Sequence, residues 1–87
     1  MRYHPRYAHA FKKQYKKLQH SGLKKIATAL DVTIETLLPY RAHKLVGRLE
    51  GYYECHVQPD WLLVYRVCED EKILELVATG THSSLFE

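Results

Sequence analysis

The first half of the chain carries apolar residues at the spacing of two amphipathic helices. From about Ala8 onward, apolar positions recur with a helical period while lysines occupy the opposite face. Ser21-Gly22 ends this segment, because glycine tolerates the left-handed conformation found after many helices. A second helical pattern covers residues 23–38, and Pro39 stops it by forcing the preceding residue out of the helical region. Within that pattern, residues 31–33 (Asp-Val-Thr) are a candidate break.

The second half has the two-residue period of β-strands. Apolar and polar side chains alternate over residues 52–57, which predicts a strand with one face against a core. Residues 61–67 are apolar on both faces and predict a central strand, and residues 73–78 predict a third strand. We expect a turn at Gln58-Pro59, and we expect Gly80 to bend the chain into a short tail.

Two helices followed by an antiparallel meander define an α+β fold. We expect an N-terminal helical hairpin packed on a small, mainly antiparallel sheet. Residues 2–7 are a candidate edge strand, because Pro5 cannot donate a hydrogen bond to a central ladder. A chain of 87 residues buries roughly 60–65% of its unfolded surface, which is enough for one compact core. Residues 1–87 are therefore predicted to form a single domain.

The turn between the first two strands of the meander decides which side chains share a face. With a two-residue turn at Gln58-Pro59, His56 lies opposite Trp61 on the face that the helices leave open. A slip of one residue exchanges the two faces of a strand, so this expectation depends on the turn. The other expected pairs are Tyr52 with Tyr65 on the open face, and Cys55 with Leu62 and Tyr53 with Val64 on the helix face.

Positive charge is concentrated in the first half. The formal net charge is +3, but residues 1–44 hold ten Lys/Arg against Asp31 and Glu35, a net of +8, and residues 45–87 carry a net of −5. This polarity favours a polyanion or an acidic partner. There is no apolar run typical of a signal peptide, and no segment approaches the ~20 apolar residues of a membrane span. These features indicate a cytoplasmic protein without a membrane partner.

Two cysteines, Cys55 and Cys68, provide no disulfide framework. Neither belongs to a C-x-x-C pair, which is typical of a reduced protein whose thiols pack as small hydrophobes. A zinc site built from these thiols and the nearby histidines is an alternative. It is disfavoured because Cys55 and His56 are adjacent in a strand and point to opposite faces, and no pair has ligand spacing.

The second half also groups side chains suited to proton transfer. His56, Asp60 and Trp61 lie around the expected turn, and His82 follows the third strand. Histidine has the unperturbed pKa nearest neutrality, so two histidines supply an acid and a base near pH 7. Beside a basic half, this pattern favours metal-free chemistry on RNA. Each residue also has a structural explanation: a hydrogen-bonded core histidine, an aspartate that satisfies turn amides, or a tryptophan that fills the core.

Several runs in the second half resemble a known family. The longest are His56-Val-Gln-Pro-Asp-Trp-Leu-Leu-Val-Tyr65 and Thr79-Gly-Thr-His-Ser-Ser-Leu-Phe86, and His43-Lys-Leu45 and Gly51-Tyr-Tyr53 precede them. Together they are similar to the YafQ branch of the RelE superfamily, which are toxins of bacterial type II toxin–antitoxin systems. The resemblance covers essentially the whole chain and is densest over residues 43–86.

The resemblance implies a RelE-like fold and a ribosome-dependent messenger RNA endoribonuclease. Such toxins cleave mRNA in the ribosomal A site, by attack of a ribose 2′-hydroxyl on the adjacent phosphate, with no metal or other cofactor. The implied partners are a cognate antitoxin, the ribosome and mRNA, with DNA contacted only through the antitoxin complex. The implied catalytic residues are His43, His56, Asp60 and His82, and the implied substrate contacts include Trp61 and Phe86.

One position departs from the family pattern. Ala78 stands where the family usually carries an arginine that would steady the phosphate. Lys44, Arg48 and Arg66 are the candidates to replace that cation, and we assign them to substrate binding. If none replaces it, the chain is a weakly active or inactive interaction module, which is the main alternative to an enzyme.

DNA binding is a further alternative. The pattern over residues 23–38 is similar to the core of a helix-turn-helix repressor, with the candidate break at 31–33 as its turn and lysines nearby. Such a domain needs further helices to bury its leucines, whereas strands follow here. Packing of the same leucines on the meander accounts for them equally well, so this alternative is disfavoured.

Overall fold

The computed structural model describes residues 2–20, 22–39, 48–49 and 52–86. In this part of the chain, helices and strands follow the predicted order, with an additional short strand and a C-terminal helix. The elements are β1 (His4–Tyr7), α1 (His9–His20), α2 (Lys24–Leu37), β2 (Arg48–Leu49), β3 (Tyr52–Gln58), β4 (Trp61–Cys68), β5 (Ile73–Gly80) and α3 (His82–Phe86).

The helical hairpin forms as predicted, but its second helix is continuous. α2 runs through residues 31–33 without interruption, so the expected break there is wrong. The hydroxyls of Thr33 and Thr36 bond to main-chain carbonyls four residues earlier, which lets threonine stay inside a helix. A continuous α2 lacks the turn that a helix-turn-helix motif requires, and the DNA-binding alternative loses its main support.

Both helices of the hairpin are short. α1 has 12 residues and α2 has 14, and Gly22 lies in the turn between them with a left-handed φ of 78°. This φ is the conformation expected of the glycine that follows a helix. Within the described ranges, no helix is long and apolar enough to cross a bilayer.

In the described part of the chain, five strands form one mixed sheet in the order β1-β5-β4-β3-β2. β3, β4 and β5 form the predicted antiparallel meander, and β4 is central, as its apolar residues on both faces indicated. β1 adds to β5 in parallel, with His4 opposite Ile73 and Tyr7 opposite Leu76. The fold class is therefore α+β with a mainly antiparallel sheet, as predicted.

β1 is the edge strand that the sequence predicted, and Pro5 protects its outer edge. The amides of His4 and Ala8 bond toward the β5 side, to the carbonyls of Lys72 and Leu76. Main-chain groups alternate in direction along a strand, so Pro5 faces the outer edge, and it has no N–H to present there. A proline at such a position blocks the addition of another strand.

The core lies between the helical hairpin and one face of the sheet, here called the helix face. Leu30 of α2 and Leu63 of β4 are fully buried at 0% exposure, and each such leucine contributes roughly 1.5–3 kcal/mol through burial. The core consists of Phe11, Leu18, Ala27, Leu30, Ile34, Leu38, Leu63, Tyr65, Leu74 and Leu76. The apolar positions of both predicted helices therefore point to the sheet.

The register between β3 and β4 differs by one residue from the expected register. The turn is formed by Pro59 and Asp60, and Gln58 pairs with Trp61. Proline favours the second position of a turn because its φ is already suited to it, whereas the expected turn placed it third. An irregularity between His56 and Gln58 absorbs the difference, so His56 pairs with Leu62 rather than Trp61.

This shift exchanges the two faces of β4 but leaves those of β3 as predicted. Tyr53 and Cys55 face the core, and the ring of Tyr53 stacks on Tyr65 with centroids 5.7 Å apart. Trp61 and Leu63 also turn to the helix face. The expected pairs His56–Trp61, Tyr52–Tyr65, Cys55–Leu62 and Tyr53–Val64 are therefore wrong.

Candidate functional site

The opposite face of the sheet, here called the open face, carries His56. On β3 the alternation that buries Cys55 directs His56 outward, and its side chain is exposed. His56 pairs with Leu62, which pairs in turn with Gly80 at the end of β5. Two such steps across a sheet place the Cα atoms of His56 and Gly80 on the order of 10 Å apart.

The same end of the sheet carries Asp60 and His82. Asp60 is exposed in the turn that joins β3 to β4, and His82 is exposed at the first position of α3, two residues after Gly80. The structure therefore places His56, Asp60 and His82 at the same end of the sheet. The catalytic roles of these three residues stay predictions, and His43 lies outside the described residues.

The segment Thr79–Thr81 has a structural role in presenting His82. Thr81 caps α3, because its Oγ1 accepts the amide of Ser84 at 3.1 Å and its carbonyl accepts the amide of Leu85 at 3.1 Å. Gly80 lies directly under α3, where a Cβ atom would come within 2.6 Å of the Ser84 Oγ. The threonines and glycine of this motif therefore build a helix start, which leaves His82 exposed beside it.

Thr79 is the buried polar residue of this segment, at 2% exposure. Its Oγ1 donates to the carbonyl of Leu62 at 2.7 Å and accepts the indole N–H of Trp61 at 2.8 Å. Its amide donates to the Oε1 of Gln14 in α1 at 2.8 Å. These bonds join β4, β5 and α1 at the end of the sheet that carries His82.

Trp61 does not share the open face with His56. Its ring packs against the core from the helix face, and its N–H is used by Thr79. It also lines a groove with Gln14, Lys17, Leu23 and Ser84, beside α3. The expected role of Trp61 in substrate binding stays a prediction. What the structure shows of Trp61 is its packing against the core and its bond to Thr79.

Arg66 lies further along the open face and is held by its neighbours. Its guanidinium bonds to the Glu75 carboxylate at 2.9 Å and lies over the Tyr52 ring, 5.5 Å from the centroid. Arg6 of β1 contacts the same carboxylate at 3.3 Å. Arg66 is about half exposed, with 47% of its side chain accessible, so the pair contributes little to stability but fixes the guanidinium.

Ala78 lies on the open face between the row of His56 and the row of Arg66. It pairs with Val64, and Val64 pairs with Glu54 of β3. The row beside the histidines therefore presents a methyl group and a carboxylate. Arg66 is one row further from His56 and bonded to Glu75, so it does not occupy the position that an arginine at residue 78 would have.

Four predicted positions lie outside this description. His43 and Lys44 fall outside the described residues, as do the side chains of Arg48 and Phe86. Their assignments stay predictions.

The thiols lie on different faces of the sheet. Cys55 is on the helix face, where burial raises the pKa of its thiol to about 11, with a smaller contribution from Glu54. Cys68 is half-buried and pairs with Ile73 at the far end of β4. Among residues 2–20, 22–39, 48–49 and 52–86, no group of three or more His, Cys, Asp and Glu side chains is arranged to hold a metal ion.

Sequence reasoning missed Gln14 and the arginine pair around Glu75. Gln14 is a single polar position in a lysine-rich helix, and nothing nearby in sequence distinguishes it from a solvated residue. Arg6 and Glu75 become partners only because β1 adds to β5 in parallel. The motif Thr79-Gly-Thr81 did carry a signal, since a threonine after glycine is a frequent helix start.

The fold is that of small RelE-like toxins. A YoeB/ParE toxin from Agrobacterium tumefaciens superposes with a TM-score of 0.72, covering 91% of this chain and 98% of that chain, although only 18% of residues are identical. Identity this low shows the fold alone. The helical hairpin and the mixed sheet therefore have the same arrangement in both proteins.

More similar proteins define the family within this class. The family model described as "Bacterial toxin of type II toxin-antitoxin system, YafQ" matches residues 3–87. The mRNA interferase toxin YafQ of Escherichia coli BL21(DE3) is 35% identical over 86 residues, covering 92% of this chain and 91% of the relative. The chain therefore belongs to the YafQ family of type II toxins, as its motifs predicted.

Two solved structures add context from relatives. E. coli YafQ in complex with the antitoxin DinJ has a TM-score of 0.66 and 31% identity, with 100% of both chains covered. A toxin from Helicobacter pylori, described as metal-bound, has a TM-score of 0.70 and 34% identity, covering 97% of this chain and 99% of that chain.

Proposed function

We propose that this toxin is a ribosome-dependent mRNA endoribonuclease that uses histidine acid–base catalysis. Family membership supports the enzyme class, because the curated E. coli relatives carry the name mRNA interferase. The observation that carries the mechanism is the position of His56 and His82, both exposed and both at one end of the sheet.

The reaction needs a base for the ribose 2′-oxygen, an acid for the leaving 5′-oxygen and positive charge near the phosphate. We assign the base and the acid to His56 and His82, because imidazole is the side chain most often used for proton transfer in catalysis. Asp60, in the adjacent turn, supports a histidine by orienting its ring or by stabilising its protonated form. His43 is the third candidate imidazole. No cofactor takes part in this mechanism.

The lysine face of α1 is the proposed contact with ribosomal RNA. Lys12, Lys13, Lys16 and Lys17 are all exposed, and no carboxylate precedes them in this helix. Charges presented in a row along a helix bind phosphates without sequence preference, and such binding weakens as salt displaces counterions. This contact holds the toxin on the ribosome, while the open face meets the message.

The proposed partner for regulation is a cognate antitoxin with an acidic segment. The complex of E. coli YafQ with DinJ supports this proposal, and the positive first half of the chain suits an acidic partner. DNA contact arises only through the antitoxin in the complex. Free toxin is expected to arrest growth, and co-expressed antitoxin is expected to prevent the arrest.

The experiment is cleavage of a translated message by purified toxin and ribosomes, with cleavage sites mapped on the RNA. Wild-type protein is expected to cleave only when ribosomes are present, and His56→Ala and His82→Ala to lose at least about 100-fold of the rate. His20→Ala, at an exposed histidine in α1, is the matched control and should cleave like wild type. Full activity of both site variants would exclude histidine catalysis by these residues.

Two further conditions complete the experiment. Cleavage is expected to persist after treatment with a chelator, and loss of cleavage that added metal restores would instead establish a metal-dependent enzyme. Cleavage without ribosomes would refute ribosome dependence.

The second candidate function is an interaction module with little or no catalytic activity. Ala78 and Glu54 favour this alternative. They lie on either side of Val64 in the row of the sheet next to His56, and neither supplies a cation there. Wild-type protein that binds ribosomes and antitoxin but leaves the message intact would establish it.

A further inference from the structure

The end of β5 that leads into α3 has a strand neighbour on one side only. β1 pairs with β5 as far as Tyr7, which lies opposite Leu76. Beyond Leu76, the side of β5 that faces away from β4 has no strand among the described elements. Thr79 lies in this stretch and is buried. A buried amide without a partner there would cost about 1–3 kcal/mol.

Gln14 takes the place of the missing strand. The chain turns from β1 into α1 directly after the Ala8 amide bonds to the Leu76 carbonyl, so α1 passes over the free side of β5. The Oε1 of Gln14 then accepts the Thr79 amide at 2.8 Å. One side chain of α1 therefore supplies the hydrogen-bond acceptor for β5 at Thr79, where β1 no longer lies beside β5.

We infer that Gln14 is a positioning residue for His82. Thr79 is held from three sides, by Gln14, by the Trp61 indole and by the Leu62 carbonyl. Only Gly80 and the helix cap Thr81 separate it from His82, so the direction of this segment determines where the imidazole lies. In the described part of the chain, Gln14 bonds to the Thr79 amide and not to His56, Asp60 or His82, so it acts through the main chain of β5. This inference rests on the proposed function of His82.

The functional group of Gln14 is its acceptor oxygen. Two substitutions distinguish the effect of this oxygen from the effect of side-chain volume. Gln14→Met keeps the length of the side chain but removes the acceptor, and Gln14→Glu keeps an acceptor oxygen in the same place. Gln19→Met is the matched control, since Gln19 is in the same helix but lines a different groove, with Tyr15 and Asp31.

The experiment measures amide hydrogen exchange, the NMR signals of the His82 ring and ribosome-dependent cleavage for all four proteins. For Gln14→Met we expect at least about fivefold faster exchange at Thr79 and shifted His82 ring signals. We also expect about tenfold slower cleavage at saturating ribosomes. The ribosome concentration for half-maximal rate should not change. Gln14→Glu should restore exchange protection, ring signals and maximal rate, and Gln19→Met should match wild type throughout.

The outcomes separate this inference from the proposed function. Wild-type protein that does not cleave refutes the proposed function and the inference with it. Active wild-type protein with an equally active Gln14→Met variant refutes the inference alone, as does a Gln14→Met variant with unchanged Thr79 exchange. A Gln14→Glu variant that stays as slow as Gln14→Met at saturating ribosomes would also refute it, because the acceptor would then be irrelevant.

Discussion

The indole N–H of Trp61 donates to the hydroxyl of Thr79 at 2.8 Å, on the helix face and away from His56. Through this bond Trp61 supports the end of the sheet that leads to His82. The same hydroxyl donates to the Leu62 carbonyl, so one buried oxygen joins the start of β4 to the end of β5.

Replacing Thr79 tests this support. Thr79→Val keeps the shape but removes the hydroxyl, which leaves the Trp61 N–H and the Leu62 carbonyl without their partner. We expect a loss of about 2 kcal/mol in the free energy of unfolding, measured by urea denaturation. Thr79→Ser keeps the hydroxyl and should lose less than about 1 kcal/mol. Equal losses in the two variants would show that the hydroxyl is unimportant.

Gly80→Ala tests how closely α3 lies on the sheet. The added Cβ atom would approach the Ser84 Oγ to 2.6 Å, so Ser84 must rotate and lose its bond to the Thr81 carbonyl, or α3 must shift and carry His82 with it. We expect a destabilisation of about 1 kcal/mol and a larger effect on cleavage, which should fall at least about tenfold.

A second substitution provides the control for Gly80→Ala. Ser84→Ala removes the oxygen that the new methyl group would meet, so Gly80→Ala/Ser84→Ala should cleave faster than Gly80→Ala alone. Because Ser84→Ala by itself loses the bond from its Oγ to the Thr81 carbonyl at 3.0 Å, the comparison needs all four proteins. Purely additive effects of the two substitutions would refute the contact.

Ala78→Arg tests whether the open face lacks a cation. The position lies between the row of His56 and the row of Arg66, opposite Val64, where a long basic side chain projects from the sheet. If the wild-type enzyme stabilises the RNA phosphate poorly, the cleavage rate of Ala78→Arg should be at least about tenfold higher than that of wild type. Ala78→Met is the uncharged control and should show no rise. A rate for Ala78→Arg no higher than for wild type would mean that another cation already serves the phosphate.

Stability at alkaline pH follows from two buried acidic groups. Burial raises the pKa of Tyr65 to about 12 from 10.0, and that of Cys55 to about 11 from 9.0. Both groups ionise at lower pH in the unfolded chain than in the folded chain. The free energy of unfolding is therefore unaffected by them below about pH 9 and falls as the pH rises toward 11 and 12. Urea denaturation at several pH values from 8 to about 11.5 measures the decline.

Tyr65→Phe identifies the tyrosine contribution to this decline. The variant lacks the phenol, so its free energy of unfolding should fall less steeply above pH 10 than that of wild type. Parallel curves for the two proteins would contradict the assignment of the decline to Tyr65.

Local patterns predicted most elements of the fold, whereas the site depended on contacts between distant residues. The alternation of Tyr53, Cys55 and Val57 correctly identified the faces of β3, because side chains alternate in any strand. The predicted register between β3 and β4 was wrong because the expected turn placed Pro59 third instead of second. This error of one residue exchanged the two faces of β4. α3 was missed because five residues are too few for a helical period to appear.

Gln14 shows why the rest of the site was not predictable. Its bond to Thr79 joins positions 65 residues apart, and neither residue type at either position indicates the other. The histidines were easier to identify, because their chemistry and the family motifs mark them without knowledge of the contacts. The motifs grouped His56 with Trp61 along the sequence, but the sheet separates them onto its two faces.

The parallel pairing of β1 with β5 joins the beginning of the chain to its last strand. His4 cannot meet Ile73 until residues 73–80 have left the exit tunnel of the ribosome that synthesises them. Until then, the nascent polypeptide lacks both the pairing partner of β1 and the strand that leads to His82. The sheet is therefore completed only by a strand that is synthesised about 70 residues after the strand it pairs with.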